Sequence, residues 1–327
     1  MRALWVSAMW PDERRPWHGS FVFSQAQSLR TLGVDLDVIY IPGYRGRSEY
    51  LHGIRAVHRA VRAKNYDVIH AHYGYCGIVG RLQARVPLVI SYCGDDLLGT
   101  PSGTQPGSYT ASSRALAMTF AQWSRFATAT ITKSAEMATR LPRSTRGRNH
   151  VIPNGVDLVR FAPEDQGEAQ RLLGWSGPDP NVLFVGNPDL PRKNFTLAEA
   201  VCAELARRGR PTRLRVAWDI APDQIPLWLN ASDVLLFPSL SEGSPNAVKE
   251  AMAVGLPVVS AAVGDVPERA DGVRGAFVVE RDANAMADAV LAALEVGRSP
   301  EIRQAVTPLS LERVAERVLA LYRDVSG

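Results

Sequence analysis

The sequence is poor in the features that would place it in a special class. It has three cysteines, Cys76, Cys93 and Cys202, far apart and in no CxxC spacing. That excludes a disulfide framework and a structural zinc site of ordinary spacing. It has no long apolar run. The stretch Leu4–Met9 is short and is followed by charges from Asp12 to Arg15, too little for a signal segment or a membrane span, so it is expected to be a buried strand of a soluble, cytoplasmic protein. No fixed-period repeat or low-complexity tract is present. No GxGxxG follows the first apolar run, which argues against a dinucleotide oxidoreductase.

What is present is an ordinary globular composition, 46% hydrophobic and 21% charged over 327 residues, long enough for two medium cores. Short β-branched runs alternate with stretches of helical period, the pattern of βα units around parallel sheets. Strands are expected near Ala3–Met9, Val34–Ile41, Val68–His72, Leu88–Tyr92, Thr128–Thr132 and His150–Ile152. A second set falls near Val182–Val185, Leu214–Ala217, Val234–Phe237, Val258–Ala261 and Ala276–Val279. The fold class is therefore α/β, with two doubly wound, Rossmann-like domains. The expected domains are 1–164 and 165–308, joined in the polar, Gly- and Pro-bearing stretch Glu164–Pro180. A last helix, 309–327, has an apolar face of Leu311, Val314, Ala315, Val318, Leu319 and Tyr322 and could cover either domain.

Charge is uneven along the chain. Residues 1–165 hold 20 Lys and Arg against 12 Asp and Glu, and residues 166–327 hold 17 against 21. The basic half fits an acidic partner, an anionic membrane surface or a solvated arginine-rich exterior. The expected helix Gly53–Lys64 sets Arg55, Arg59 and Arg62 on one face and Ile54, Val57 and Val61 on another. Such a helix fits both a lipid surface presenting a lipid-linked acceptor and the outer layer of an α/β domain.

The most informative segment runs from Ser239 to Ser260. It begins where the strand Val234–Phe237 ends, the edge at which open α/β sheets bind ligands. Gly243 permits a tight turn, Ser244 suits the N-cap and Pro245 the first helical position. The free amides near Asn246 and Ala247 then favour a diphosphate. Glu242 precedes the helix and Glu250 lies within it, on the face of Asn246 and Ala247 and leaning toward the helix start. A carboxylate there accepts hydrogen bonds from a diol such as a ribose.

Glu242 and Glu250, with seven residues between them in SEGSPNAVKEAMAVGLPVVSAAVGDVPE, resemble the E-x7-E signature of family 4 glycosyltransferases, retaining enzymes of GT-B fold. HGSFVFSQAQSLRTLGVDLDVI, DVIHAHYG, VIPNGVD and NASDVLLFPS support the resemblance across most of the chain, while Pro101–Leu116 has no counterpart and Arg215–Leu229 is short for the family. The resemblance implies roles. Glu250 binds the donor ribose; Glu242 lies near the transferred sugar and its phosphate. Gly243, Ser244, Pro245, Asn246 and Ala247 form the turn that holds the distal phosphate, and Lys193 neutralises the leaving diphosphate. Arg192 stands in for the family arginine whose place is taken by Asn187. Gly19 and Ser20 belong to the loop that reaches the diphosphate and sugar. His72 and Asp96, at the ends of the third and fourth strands, face the acceptor; Cys93 stands where the family often has histidine, so no catalytic histidine is assigned there.

The implied donor is a UDP-, GDP- or ADP-linked sugar acting as co-substrate, with no other cofactor, no metal and no nucleic acid. The acceptor is a sugar or small molecule, including a lipid-linked one, met in the cytoplasm or at the inner membrane face. In the family, transfer needs no protein nucleophile, since the diphosphate accepts the acceptor proton. Asp95-Asp96 and Asp35-x-Asp37 are weak metal spacings. Two other readings remain open: a GT-B-fold nucleotide-sugar epimerase, for which no acid–base pair is evident, and a non-catalytic nucleotide-sugar binding protein.

Overall fold

The computed structural model describes residues 1–12, 15, 18–83, 85–103 and 108–327. Glu13 and Arg14 of the charged stretch, and 104–107 within Pro101–Leu116, lie outside the described residues.

The chain forms two compact units, each built on one parallel sheet. The first holds β1 (Arg2–Ser7), β2 (Asp35–Tyr40), β3 (Val68–His72), β4 (Leu88–Ser91), β5 (Ala129–Thr132) and β6 (Asn149–Val151), in the order β2-β1-β3-β4-β5-β6. The second holds β7 (Asn181–Val185), β8 (Arg213–Ala217), β9 (Val234–Phe237), β10 (Val258–Ser260) and β11 (Ala276–Val278), in the order β11-β10-β9-β7-β8. Read from the other edge, the second order repeats the winding of the first five strands of the first. In each sheet the chain steps outward after its first strand and then returns to the other side of it. This leaves a switch point between β1 and β3 and another between β7 and β9, where crevices open at the carboxyl ends.

Helices cover both faces of a parallel sheet, so its strands read as nearly unbroken apolar runs. Leu4, Trp5 and Val6 of β1 and Leu235 and Leu236 of β9 are fully buried. Every expected strand is present, with ends differing by one or two residues.

Three boundaries differ from expectation. The change from first to second unit falls at Gly155–Val156 rather than in Glu164–Pro180. Val156 and Phe161 are already core residues of the second unit, and the Val156 amide donates to the Leu309 carbonyl at 2.9 Å. The stretch beyond Glu164 instead carries a helix, Gln166–Leu172, within that unit. The basic helix begins earlier, spanning Ser48–Ala63. The last helix, Leu311–Ser326, belongs to the first unit. Its buried face comprises Val314, Ala315, Val318, Leu321 and Tyr322, with Leu319 half-buried. Trp5 Nε1 donates to the Tyr322 hydroxyl at 2.9 Å, joining that helix to β1 of the first sheet.

Candidate active site

Two loops meet at the β7/β9 switch point of the second unit. After β7, Gly186 takes φ 136°, and a Cβ there would lie 3.1 Å from Lys193 Cε, so the glycine makes room for the lysine stem. A 3-10 turn, Pro191–Lys193, closes that loop, and the Leu240 amide from the loop after β9 donates to the Arg192 carbonyl at 2.8 Å. The side chains then converge. Lys193 Nζ lies 2.7 Å and Arg192 Nη1 3.0 Å from the same oxygen, Oε1 of Glu242. Lys193 and Glu242 keep only 14% and 13% of their side-chain surface exposed. Burial pushes the Glu242 carboxyl up, but Lys193 and Arg192 together outweigh it and hold the pKa below the ordinary value. Two cations share one carboxylate, so the cluster carries a net positive charge fixed in place.

Beside it lies the helix Asn246–Ala253. It starts one residue later than expected, with Pro245 rather than Ser244 at the capping position. Ser244 lies one residue outside the cap and its hydroxyl accepts instead from Lys249 Nζ. The amides of the first turn still point out of the helix start and carry its partial positive charge. Gly264 packs under this turn: a Cβ there would come 2.7 Å from the Gly243 carbonyl oxygen. Glu250 is half-buried in the second turn of the helix. Burial pushes its pKa up to about 7, against the pull of Arg160 and Lys249. The two glutamates of the segment thus differ in charge near neutrality: Glu242 is ionised and Glu250 titrates.

The first unit's candidates sit in another environment. Gly19, at φ 72°, precedes the helix Ser20–Thr31, and a Cβ on it would lie 2.4 Å from the Met9 carbonyl carbon, so only glycine fits. Ser20 is exposed at the helix start. His72 is 1% exposed, stacked 4.2 Å from Trp5 and 4.1 Å from His70, and its Nε2 has no hydrogen-bond partner. Burial, then His70 and Lys133, push its pKa well below the ordinary value, so the ring is neutral. Asp96 is also 1% exposed, and both its oxygens accept backbone N–H groups, from Cys93, Gly94 and Gly74. Burial, then Asp95, push it up to about 7 against those bonds. Asp96 therefore ties the loop after β4 to the one after β3.

Lys193, Arg192 and Glu242 are brought together; Glu250 makes no hydrogen bond or ion pair with them, and His72 and Asp96 lie in the other unit. Sequence reasoning missed His70, whose ring nitrogens lie 2.5 Å from the Tyr322 hydroxyl and 2.8 Å from Ser91 Oγ. It also missed Lys249, 1% exposed on the face shared with Val248 and Met252. A lysine inside an apolar helical face was the available signal.

Residues 13–160 match the family described as Glycosyltransferase Family 4, and residues 182–296 match the one described as Glycosyl transferases group 1. A D-inositol 3-phosphate glycosyltransferase of Actinosynnema mirum is 30% identical over 315 residues, covering 80% of this chain and 74% of the relative. Among solved structures, sucrose-phosphate synthase from Thermosynechococcus elongatus superposes with a TM-score of 0.78 at 20% identity over 99% of each chain. Anabaena HepE, in complex with UDP, superposes with a TM-score of 0.69 at 18% identity over 99% of this chain and all of the other. The motifs, the two parallel-sheet units and these matches agree: the chain belongs to glycosyltransferase family 4 and has the GT-B fold.

Proposed function

We propose that this glycosyltransferase takes its sugar from a nucleoside diphosphate donor and passes it to an acceptor hydroxyl with retention of anomeric configuration and without a divalent metal. The observation that carries this reading is the Lys193–Arg192–Glu242 cluster beside the helix that opens at Asn246. A net positive charge and the amides of a helix start at one switch point suit a diphosphate. HepE, solved with UDP, supports that class of ligand. In this reading Glu250 accepts from the ribose hydroxyls, and Glu242 orients Lys193 and Arg192 toward the phosphates.

In the transfer, the bond from the anomeric carbon to the diphosphate oxygen breaks. The acceptor oxygen bonds to that carbon on the same face, and its proton passes to the leaving phosphate oxygen. Lys193, Arg192 and the helix amides stabilise the charge that develops there. Inversion would need a base on the opposite face. His72 has the basicity of a buried, neutral ring beside Lys133, and both Asp96 oxygens are committed to backbone amides. Both are poor candidates for that work.

Proton NMR of the fresh product, read at the anomeric coupling, tests retention; an inverted product overturns it. Excess EDTA is expected to leave the rate nearly unchanged, and a metal-reversible loss would point back to Asp95 and Asp96. Donor hydrolysis or transfer by purified protein separates the enzyme from a binding protein. For the acceptor, the helix Ser48–Ala63 leaves Arg55, Arg59 and Arg62 exposed, with Leu51 at 62%. That pattern supports contact with anionic lipid at the inner membrane face and a lipid-linked acceptor. No helix among the described residues is long and apolar enough to cross a membrane.

A further inference from the structure

The chain carries 4 lysines against 33 arginines, so lysine is not its ordinary surface cation. Lys249 is 1% exposed, in the helix that starts at the candidate phosphate turn. Its ammonium donates to both acceptors of one residue, the Ser244 hydroxyl and, at 3.5 Å, the Ser244 carbonyl. Among the described residues it makes no ion pair within salt-bridge distance. Its nearest counter-charges act at longer range, Asp265 first and Glu250 second. Asp265 is itself 3% exposed, and its Oδ2 has no hydrogen-bond partner. A buried cation without a paired anion is costly, and proteins keep such a group where something compensates it.

The compact lysine head suits this place better than an arginine fork, since both its acceptors belong to one turn of backbone. Ser244 is the residue just outside the helix cap, and the orientation of its peptide sets that of the first helical amides that follow. Lys249 fixes that peptide from beneath. It also adds a full positive charge to the partial charges of the turn in a water-poor setting.

We infer that Lys249 is a positioning residue for the diphosphate: it holds the Ser244 turn and supplies buried positive charge that a bound diphosphate neutralises. This inference rests on the donor-site reading given above. It deepens that reading, because a residue outside the Lys193 cluster then discriminates diphosphate from uncharged nucleoside.

The test is calorimetric titration of the whole protein with UDP and uridine, with GDP and guanosine, and ADP and adenosine, as parallel pairs. Lys249→Met is expected to weaken the bound nucleoside diphosphate by about tenfold or more, the loss of one charge-assisted interaction, while the matching nucleoside stays within about twofold. Unchanged diphosphate affinity, or parallel loss of both ligands, overturns the inference. If Lys249→Met loses cooperative unfolding, Ser244→Ala decides, since it keeps the lysine and removes its hydroxyl acceptor. About three- to fivefold selective loss of diphosphate affinity is then expected, and no loss overturns the inference. Lys193→Met separates the two levels. If it binds diphosphate like wild type, the donor-site reading falls. If it weakens binding and the Lys249 and Ser244 variants do not, only the inference on Lys249 falls.

Discussion

At the β7/β9 switch point, charged groups hold one another and leave capacity over: two cations meet one carboxylate oxygen, and a helix start lies alongside with its partial positive charge. At the β1/β3 switch point of the first sheet, the same winding leads to the opposite outcome. Trp5, His70, His72 and Tyr322 stack in the core, with His70 bonded at both nitrogens and Asp96 at both oxygens. His72 Nε2 excepted, the polar atoms there are spent on neighbouring loops and on the C-terminal helix. Equal topology therefore does not make equal sites. Charge left over after the local bonds are counted marks where a ligand has work to do, and polar groups that are fully bonded mark scaffold.

That comparison breaks most readily at Lys193. Lys193→Met and Glu250→Ala are each expected to lower kcat/KM by roughly 10²–10³, the scale for losing one group that stabilises developing charge or places the donor. The fold should remain intact. The two should differ in detail, Lys193 acting on nucleoside diphosphate affinity and Glu250 on free nucleoside as well. His72→Asn, in the other switch point, is expected to cost under about tenfold. Steady-state kinetics with the donor decides; a His72 variant as impaired as Lys193→Met would make the first sheet a catalytic partner rather than scaffold.

The next effect is on stability and runs the other way. Asp96→Ala leaves the amides of Gly74, Cys93 and Gly94 without their acceptor in a site from which water is excluded. Leaving such groups unsatisfied is expected to cost about 2–4 kcal/mol. Lys193→Met, which removes a partly exposed cation, should shift the unfolding midpoint little. Chemical denaturation of both variants checks this, and a stable Asp96→Ala protein would remove the scaffold role argued for that carboxylate.

Much of this was legible in the chain itself, for identifiable reasons. Parallel strands bury both faces, so runs such as Leu4–Val6 and Val234–Phe237 stand out from the alternating helices and could be placed to within two residues. The spacing of Glu242 and Glu250, and the lysine after the β7 loop, pointed to the switch point where Lys193 and Glu242 meet, because the proposed chemistry there depends on local order along one turn and one helix. Three things were not legible. The unit boundary at Val156 depends on its pairing with Leu309, some 150 residues away. The Ser244 cap failed because Lys249, buried below, claims its hydroxyl. The roles of His70 and Asp96 depend on partners brought by other strands and by the last helix, which no local pattern announces.

The smallest expected effect tests the two glutamates against each other through pH. Burial raises the folded-state pKa of Glu250 to about 7, above its ordinary carboxylate value. The folded protein therefore prefers the protonated form, and this contribution to stability is present below the ordinary carboxylate range and is lost as pH rises through about 7. Asp96, also raised to about 7, adds a slope of the same sign. A ribose diol donates two hydrogen bonds, which an ionised carboxylate accepts best, so ligand binding should draw the Glu250 pKa down and release a proton. Nucleoside affinity is then expected to rise about three- to tenfold from pH 6 to pH 8 and to level off above. Stability of the free protein should fall over the same window. Glu250→Gln removes the titrating group: it should flatten the affinity curve and leave only the Asp96 part of the stability slope. Glu242, held ionised by Lys193 and Arg192, contributes nothing between those pH values. Calorimetry across pH, in buffers of different ionisation enthalpy, reads both the affinity and the released proton. A slope that survives in Glu250→Gln would assign the proton to another group and return Glu250 to the helix surface.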